Sequence, residues 1–241
     1  MIHLLDYILY YYLIMITDVE QRYRSFLVEF EEYSKAIGRR ALLVAVSKTK
    51  SLEYIQKAYS LGQRDFGENY AQELRDKAKE ASAGNIEISW HYIGQIQENK
   101  IKYIVGKAIL IHTIDSIKKA QMINAYCSKK NLYQDILLQI NISDDSSKGG
   151  IGQEEAALLF EEVSNLERVK VCGLMTIVKY SEDPEDSRSH YRNMKNLASK
   201  IENEHGVKLE LSMGMSGDYK VALDEGSTII RVGSKIFGER V

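Results

Sequence analysis

Leu43-Val44-Ala45-Val46-Ser47-Lys48-Thr49-Lys50 carries an apolar run straight into a lysine. The run reads as a strand over 41–47. An ammonium group at its end is costly to bury unless it is paired or gives up its charge. A lysine so placed can be neutral and nucleophilic near neutrality, able to condense with a carbonyl. The bland alternative is a strand-end lysine whose tip snorkels into solvent. The local sequence favours the bland reading; the sequence on either side reverses it.

Seven more runs of strand character follow: Asp65–Glu68, Ile86–Ile93, Ala108–Ile114, Asp135–Ile142, Val169–Ile177, Lys208–Met213 and Thr228–Val232. Amphipathic segments separate them. Ser116–Lys129 is one, with Ile117, Ala120, Ile123 and Tyr126/Cys127 on a single face. A helix precedes the first strand, from Val19 to Ile37, marked by Val19, Tyr23, Phe26, Phe30, Tyr33 and Ile37 and ended by Gly38. Strand and helix in alternation imply parallel strands with helical crossovers. Eight such units suit the roughly 250 residues of a (β/α)₈ barrel. A doubly wound open sheet is the competitor, weakened because no Gly-x-Gly-x-x-Gly follows the first strand. The expected fold is therefore α/β: one (β/α)₈ TIM barrel with an extra N-terminal helix.

The 241 residues carry a net charge of -2 and 44% hydrophobic side chains. That is chain enough for a full core, with no electrostatic case for nucleic acid. Cys127 and Cys172 have no pair spacing, which argues against disulfides or zinc and fits a reducing cytosol. The five histidines lack metal-ligand spacing, so no metal site is expected. No Gly-x-Ser-x-Gly occurs to support hydrolase chemistry. Ile2–Ile16 is apolar apart from His3 and Asp6. It is shorter than a spanning helix and lacks the basic start of a signal peptide. A membrane anchor is one reading of it. The reading adopted is a non-native extension over 1–16, with Met15 as an alternative start and the barrel domain over 17–241.

Barrel sites lie at the C-terminal ends of the strands. That rule selects Lys48, Gly67-Glu68-Asn69, His91, Gly94-Gln95, Asp115, Asn141, Met175-Thr176, Ser212–Ser216 and Arg231–Ser234. Period two puts Val44, Val46 and Lys48 on one face. Lys50 shares the parity but lies beyond the strand, before a helix that Ser51 could cap; it is the runner-up nucleophile. Met213-Gly214-Met215-Ser216-Gly217 and Arg231-Val232-Gly233-Ser234 have the form of anion-binding turns after strands seven and eight, where barrels often hold phosphate. Either could equally be a tight turn; the adjacent pair favours phosphate. Arg231 could pair with a core carboxylate. Beside a pyridine nitrogen it can only donate, which weakens the ring as an electron sink. Lys148-Gly149-Gly150-Ile151-Gly152 lacks P-loop order and reads as a mobile loop at the barrel mouth. His91 is as readily a hydrogen-bonded structural histidine as a functional one.

The chain resembles the pyridoxal phosphate homeostasis protein family (YggS- or PROSC-like). The matching pieces are Ala45–Lys50, Phe66-Gly67-Glu68-Asn69-Tyr70, Trp90–Lys100, Gly173-Leu174-Met175, Leu211–Ser216 and Arg231–Gly238. Together they are specific and run from about residue 20 onward. The resemblance implies a barrel of the alanine racemase N-terminal type, PLP fold type III, with pyridoxal 5'-phosphate (PLP) held as an internal aldimine. By motif match, Lys48 would carry the aldimine and Arg231 would face the pyridine nitrogen. Ser216, Gly233 and Ser234 would hold the phosphate, and Asn69 and Met213 would line the ring. Ser51, Tyr92 and Ser234 depart mildly from the common pattern, and the leader before Met15 is outside it.

A cytoplasmic PLP carrier follows as the expected function: reversible binding, buffering, and delivery to PLP-dependent apoenzymes. No catalytic residue is assigned. No membrane partner is expected, and the protein should be a monomer or weak homodimer. The alternative is a PLP-dependent racemase of a small amino acid. That chemistry needs a base on each face of the α-carbon. Racemases of this fold draw the second base from a C-terminal β-domain, which is not expected in a sequence ending at Val241 soon after the last strand. A purely structural barrel would leave Lys48, Ser216 and Arg231 unexplained.

Overall fold

The computed structural model describes residues 4–145 and 148–239, with side chains from residue 18 onward. The whole of the expected 1–16 extension therefore lies outside the described side chains. The strands are β1 (Leu42–Val46), β2 (Asp65–Glu68), β3 (Ser89–Tyr92), β4 (Ala108–Ile114), β5 (Gln134–Gln139), β6 (Val169–Met175), β7 (Glu210–Ser212) and β8 (Ile229–Val232). They close in sequence order into one barrel. Every pairing is parallel, including β1 with β8, where Val44 stands opposite Arg231. Closure rules out the open sheet.

The helices are α1 (Leu4–Ala36), α2 (Leu52–Ser60), α3 (Ala71–Ala83), α4 (Ile101–Ile104), α5 (Ile117–Lys130), α6 (Ala156–Ser164), α7 (Arg188–His205), α8 (Tyr219–Asp224) and α9 (Ser234–Phe237). The expected helix over 19–37 begins instead at Leu4. No glycine or proline interrupts the stretch ahead of Val19, so nothing stops the helix. It ends at Ala36, with Gly38 left-handed at φ 65°. At α5, Ser116 caps the helix by accepting from the Lys119 N–H at 3.4 Å.

Two apolar layers fix the barrel. The larger lies between strands and helices and takes in Val19, Tyr23, Phe26 and Phe30 of α1. The smaller fills the barrel interior with Val44, Leu110, Leu137, Met175 and Ile229. Helix α1 packs on α2 and α9, across the seam where β1 meets β8. Phe26 stacks with Phe30 and meets Tyr219 edge-on, while Glu29 binds Lys220, Lys235 and the Tyr219 hydroxyl. The loop expected to be mobile is fastened on its far side: Ile151 bridges to Ile140, and Gln139 Nε2 donates to the Gly149 carbonyl at 2.9 Å.

Candidate functional site

The C-terminal strand ends surround a cavity of 410 Å³, within the ~300–1,000 Å³ of small-ligand sites. Lys48, Asn69, Ser216, Arg231, Gly233 and Ser234 all line it, from four different strand ends. Lys50 is on the rim, its Nζ 3.4 Å from the Glu239 carbonyl. Met213 is the exception. Ser212 faces inward, so strand alternation turns Met213 outward into the fully buried layer beneath the helices. Gly214, at φ 92°, then redirects the chain, and Met215 lines the cavity in its place. His91 faces the barrel interior below the cavity.

Lys48 is half-buried in a turn closed by the Lys50 N–H donating to the Ser47 carbonyl at 3.1 Å. Thr49 adopts φ 64°, a left-handed conformation that β-branched residues rarely take. Charged groups hold the turn from below. Lys77 Nζ of α3 donates to the Ser47 carbonyl (2.9 Å), Glu68 Oε1 (2.8 Å) and Glu73 Oε2 (2.9 Å). The Ser47 hydroxyl donates to Glu68 at 2.6 Å, and the Thr49 N–H to Glu73 at 2.8 Å. Burial pushes the Glu68 carboxyl up to about 7, against the pull of Lys77 and Ser47. Burial also acts on Glu73, but the Thr49 N–H and Lys77 outweigh it and leave that carboxyl below its usual range. The sequence hid this clamp. The one signal of it in the sequence is the spacing of Glu73 and Lys77, one helical turn apart.

Arg231 is 4% exposed yet reaches the cavity wall. Its Nη1 donates to Ser212 Oγ at 2.7 Å and its Nη2 to the Thr176 carbonyl at 2.8 Å. Burial lowers the guanidinium's affinity for its proton, opposed by Tyr191 and Asp218. The group remains a pure donor. Asp218 shapes the neighbouring loop, accepting from the Met215 N–H and the Tyr191 hydroxyl at 2.7 Å each. Ser216 Oγ accepts from the Gly233 N–H at 3.3 Å, which joins the loops after β7 and β8.

These residues fit the implied PLP. The Asn69 Oδ1 atom is buried at the cavity with no protein partner, ready for a polar ring substituent. Ser216 and Ser234 both line the cavity and offer hydroxyls to a phosphate. A Cβ on Gly217 would project into open space, leaving room beside them. A Cβ on Gly94 would collide with the Asn69 carbonyl, so glycine at that position lets the loop after β3 approach Asn69 closely.

The family model described as "Alanine racemase, N-terminal domain" matches residues 29–241, which sets the class: a racemase-type barrel with a lysine at its mouth. Within that class, the chain belongs to the pyridoxal phosphate homeostasis protein family. The member from Aquifex aeolicus is 42% identical over 201 residues, 83% of this chain and 87% of that protein. The Bos taurus member is 38% identical over 229 residues, 87% and 84% of the two chains. PipY of Synechococcus elongatus, solved with PLP bound, superposes with a TM-score of 0.81 at 29% identity, covering 91% of this chain and 100% of its own. An alanine racemase of Clostridium difficile reaches 0.70 at 16% identity, covering 89% of this chain and 60% of its own; that likeness is one of fold alone.

Proposed function

We propose that this protein binds PLP reversibly at the barrel mouth and serves intracellular PLP homeostasis, buffering the cofactor and delivering it to apoenzymes. The observation that carries this is the convergence of Lys48, Asn69, Arg231, Ser216 and Ser234 on one cavity. When bound, the cofactor supplies an aldehyde that condenses with an amine and a ring that withdraws electrons. Lys48 offers the amine, on a turn that Lys77, Glu68 and Glu73 keep in place. Asn69 holds the ring edge. Arg231 donates toward the ring nitrogen and has no lone pair to accept from it, which suits holding the ring more than driving proton abstraction. Ser216 and Ser234 donate to the phosphate, with Gly233 between the two loops. Met215 supplies the apolar contact expected of Met213.

The racemase reading draws on likeness of fold, whereas relatives near 40% identity carry the homeostasis name. We regard the protein as a monomer or weak homodimer. Two free cysteines accord with a cytoplasmic location. Among the described residues no helix is long and apolar enough to cross a membrane. Residues 1–16 we regard as an extension ahead of the cofactor-binding barrel.

The test is an absorption spectrum of the purified protein with added PLP, before and after borohydride, for the native chain and Lys48→Ala. We expect a visible band that borohydride fixes onto Lys48 and that the variant lacks. A native chain without the band would overturn the reading. A band that survived in Lys48→Ala would move the anchor, with Lys50 the next candidate.

A further inference from the structure

Beneath the cavity a line of polar side chains crosses the barrel interior. Asp65, at the start of β2, places Oδ1 3.0 Å from His91 Nε2. His91 Nδ1 lies 3.0 Å from His112 Nε2, and His112 Nδ1 lies 2.9 Å from Ser212 Oγ. Ser212 Oγ accepts from Arg231. Both imidazoles and Ser212 are buried, at 1% exposure or less. Only the Asp65 end meets solvent, its side chain 20% exposed. None of these four residues belongs to the cavity lining, which Arg231 alone joins.

The bonding inventory leaves the line two settings. A guanidinium only donates and a carboxylate only accepts. With both histidines neutral, His91 must donate from Nε2 to Asp65, so its Nδ1 must accept. His112 must then donate from Nε2 and accept at Nδ1, and the Ser212 hydroxyl must point at His112. Every bond runs from Arg231 towards Asp65. The second setting follows the uptake of one proton. The Ser212 and His112 protons each pass one place towards Asp65, His91 keeps its Nε2 proton, and the added proton restores the Ser212 hydroxyl. The added charge then rests on His91, doubly protonated and facing the Asp65 carboxylate. His112 stays neutral but carries its proton on Nδ1, and Ser212 Oγ accepts from both His112 and Arg231. Burial, with His91 and Arg231 nearby, holds the His112 imidazole well below the usual histidine range, in keeping with a ring that changes tautomer and not charge.

We propose that His112 is a positioning residue that acts through Ser212 on Arg231, with His91 and Asp65 setting its tautomer from the far end of the barrel. In the first setting Ser212 donates onward and is a strong acceptor for Arg231. In the second its oxygen is shared, the hold on Arg231 slackens, and the guanidinium donates more strongly towards the cofactor ring. Other charged groups flank the line. Tyr191 and Asp218 face Arg231. On β5 and β6, Asp135 interacts with Cys172, whose thiol burial pushes up to about 11. The coupling to the ring rests on the PLP reading above; the tautomers do not.

Nitrogen-15 spectra of the histidine rings in the cofactor-free protein test the tautomers directly. At mildly alkaline pH we expect both His91 and His112 to carry hydrogen on Nε2 alone. As pH falls, His91 should become doubly protonated while His112 inverts to Nδ1–H. In Asp65→Asn, which removes the facing carboxylate far from the cavity, the inversion should move to lower pH by about one unit or more. In the loaded protein the visible band should change with the same midpoint. In Ser212→Ala the histidines should still titrate while the band no longer follows them. His112 found with Nδ1–H at alkaline pH, or an Asp65→Asn profile equal to the native one, would overturn the relay. Because the ring spectra need no cofactor, a protein that failed to bind PLP would still decide them.

Discussion

Glu68 is the residue whose removal should reveal most about how the anchor turn is held. Its carboxyl keeps a proton up to about 7 in the folded chain, whereas an unfolded glutamate gives it up near the ordinary value of 4.5. The folded state therefore binds the extra proton across that window, and stability falls as pH rises through it, then levels off. The shift corresponds to roughly 3 kcal/mol. Urea unfolding of native and Glu68→Gln protein from acid to neutral pH should show the variant gaining on the native chain by up to that amount. Two parallel curves would mean that Lys77 keeps Glu68 ionised throughout. Lys48 and Arg231 were legible in the sequence because a cation inside a strand pattern contradicts its surroundings. Lys77 and His112 were not. A lysine on a helix and a histidine in a strand look ordinary until folding brings up Ser47, Glu68 and Ser212.

At the level of elements, α1 deserves a place in the barrel's energetics, since its buried stripe covers the β1–β8 seam. Phe26, 2% exposed between Phe30 and Tyr219, is its centre. Phe26→Ala should cost about 3–5 kcal/mol, read as a lower denaturant midpoint with the slope unchanged. A loss below about 1 kcal/mol would show that the site collapses around the deletion. By contrast Glu29, about a third exposed among two lysines, should contribute little when replaced by glutamine. The strands were legible because each apolar run is short and is followed by an amphipathic segment. Their ends were less so: Ile86–Ile93 contracts to Ser89–Tyr92 and Lys208–Met213 to Glu210–Ser212. Apolar character continues beyond the residues that pair, because loops at a barrel rim are themselves partly buried. The start of α1 was missed because a uniformly apolar leader carries no period to read.

For the whole molecule, cofactor binding and stability are linked. PLP at a hundredfold excess over its dissociation constant should stabilise the fold by ~2.7 kcal/mol. In a chain of this size that raises the melting temperature by about 5–10 °C. Lys48→Ala should show less than half of that rise in the same scan; an equal rise would place the binding energy in the phosphate loops alone. The barrel closes by setting β8 beside β1, with Leu42 against Ile229 and Val44 against Arg231. Lys48 thus comes from the first strand to emerge during synthesis, and Arg231, Gly233 and Ser234 from the last. Contacts so distant along the chain form late. On the proposed site, a growing polypeptide that displays Lys48 would still have nothing to clasp the phosphate, so a half-made barrel would not hoard the vitamin, and loading would mark the moment at which the ring is complete.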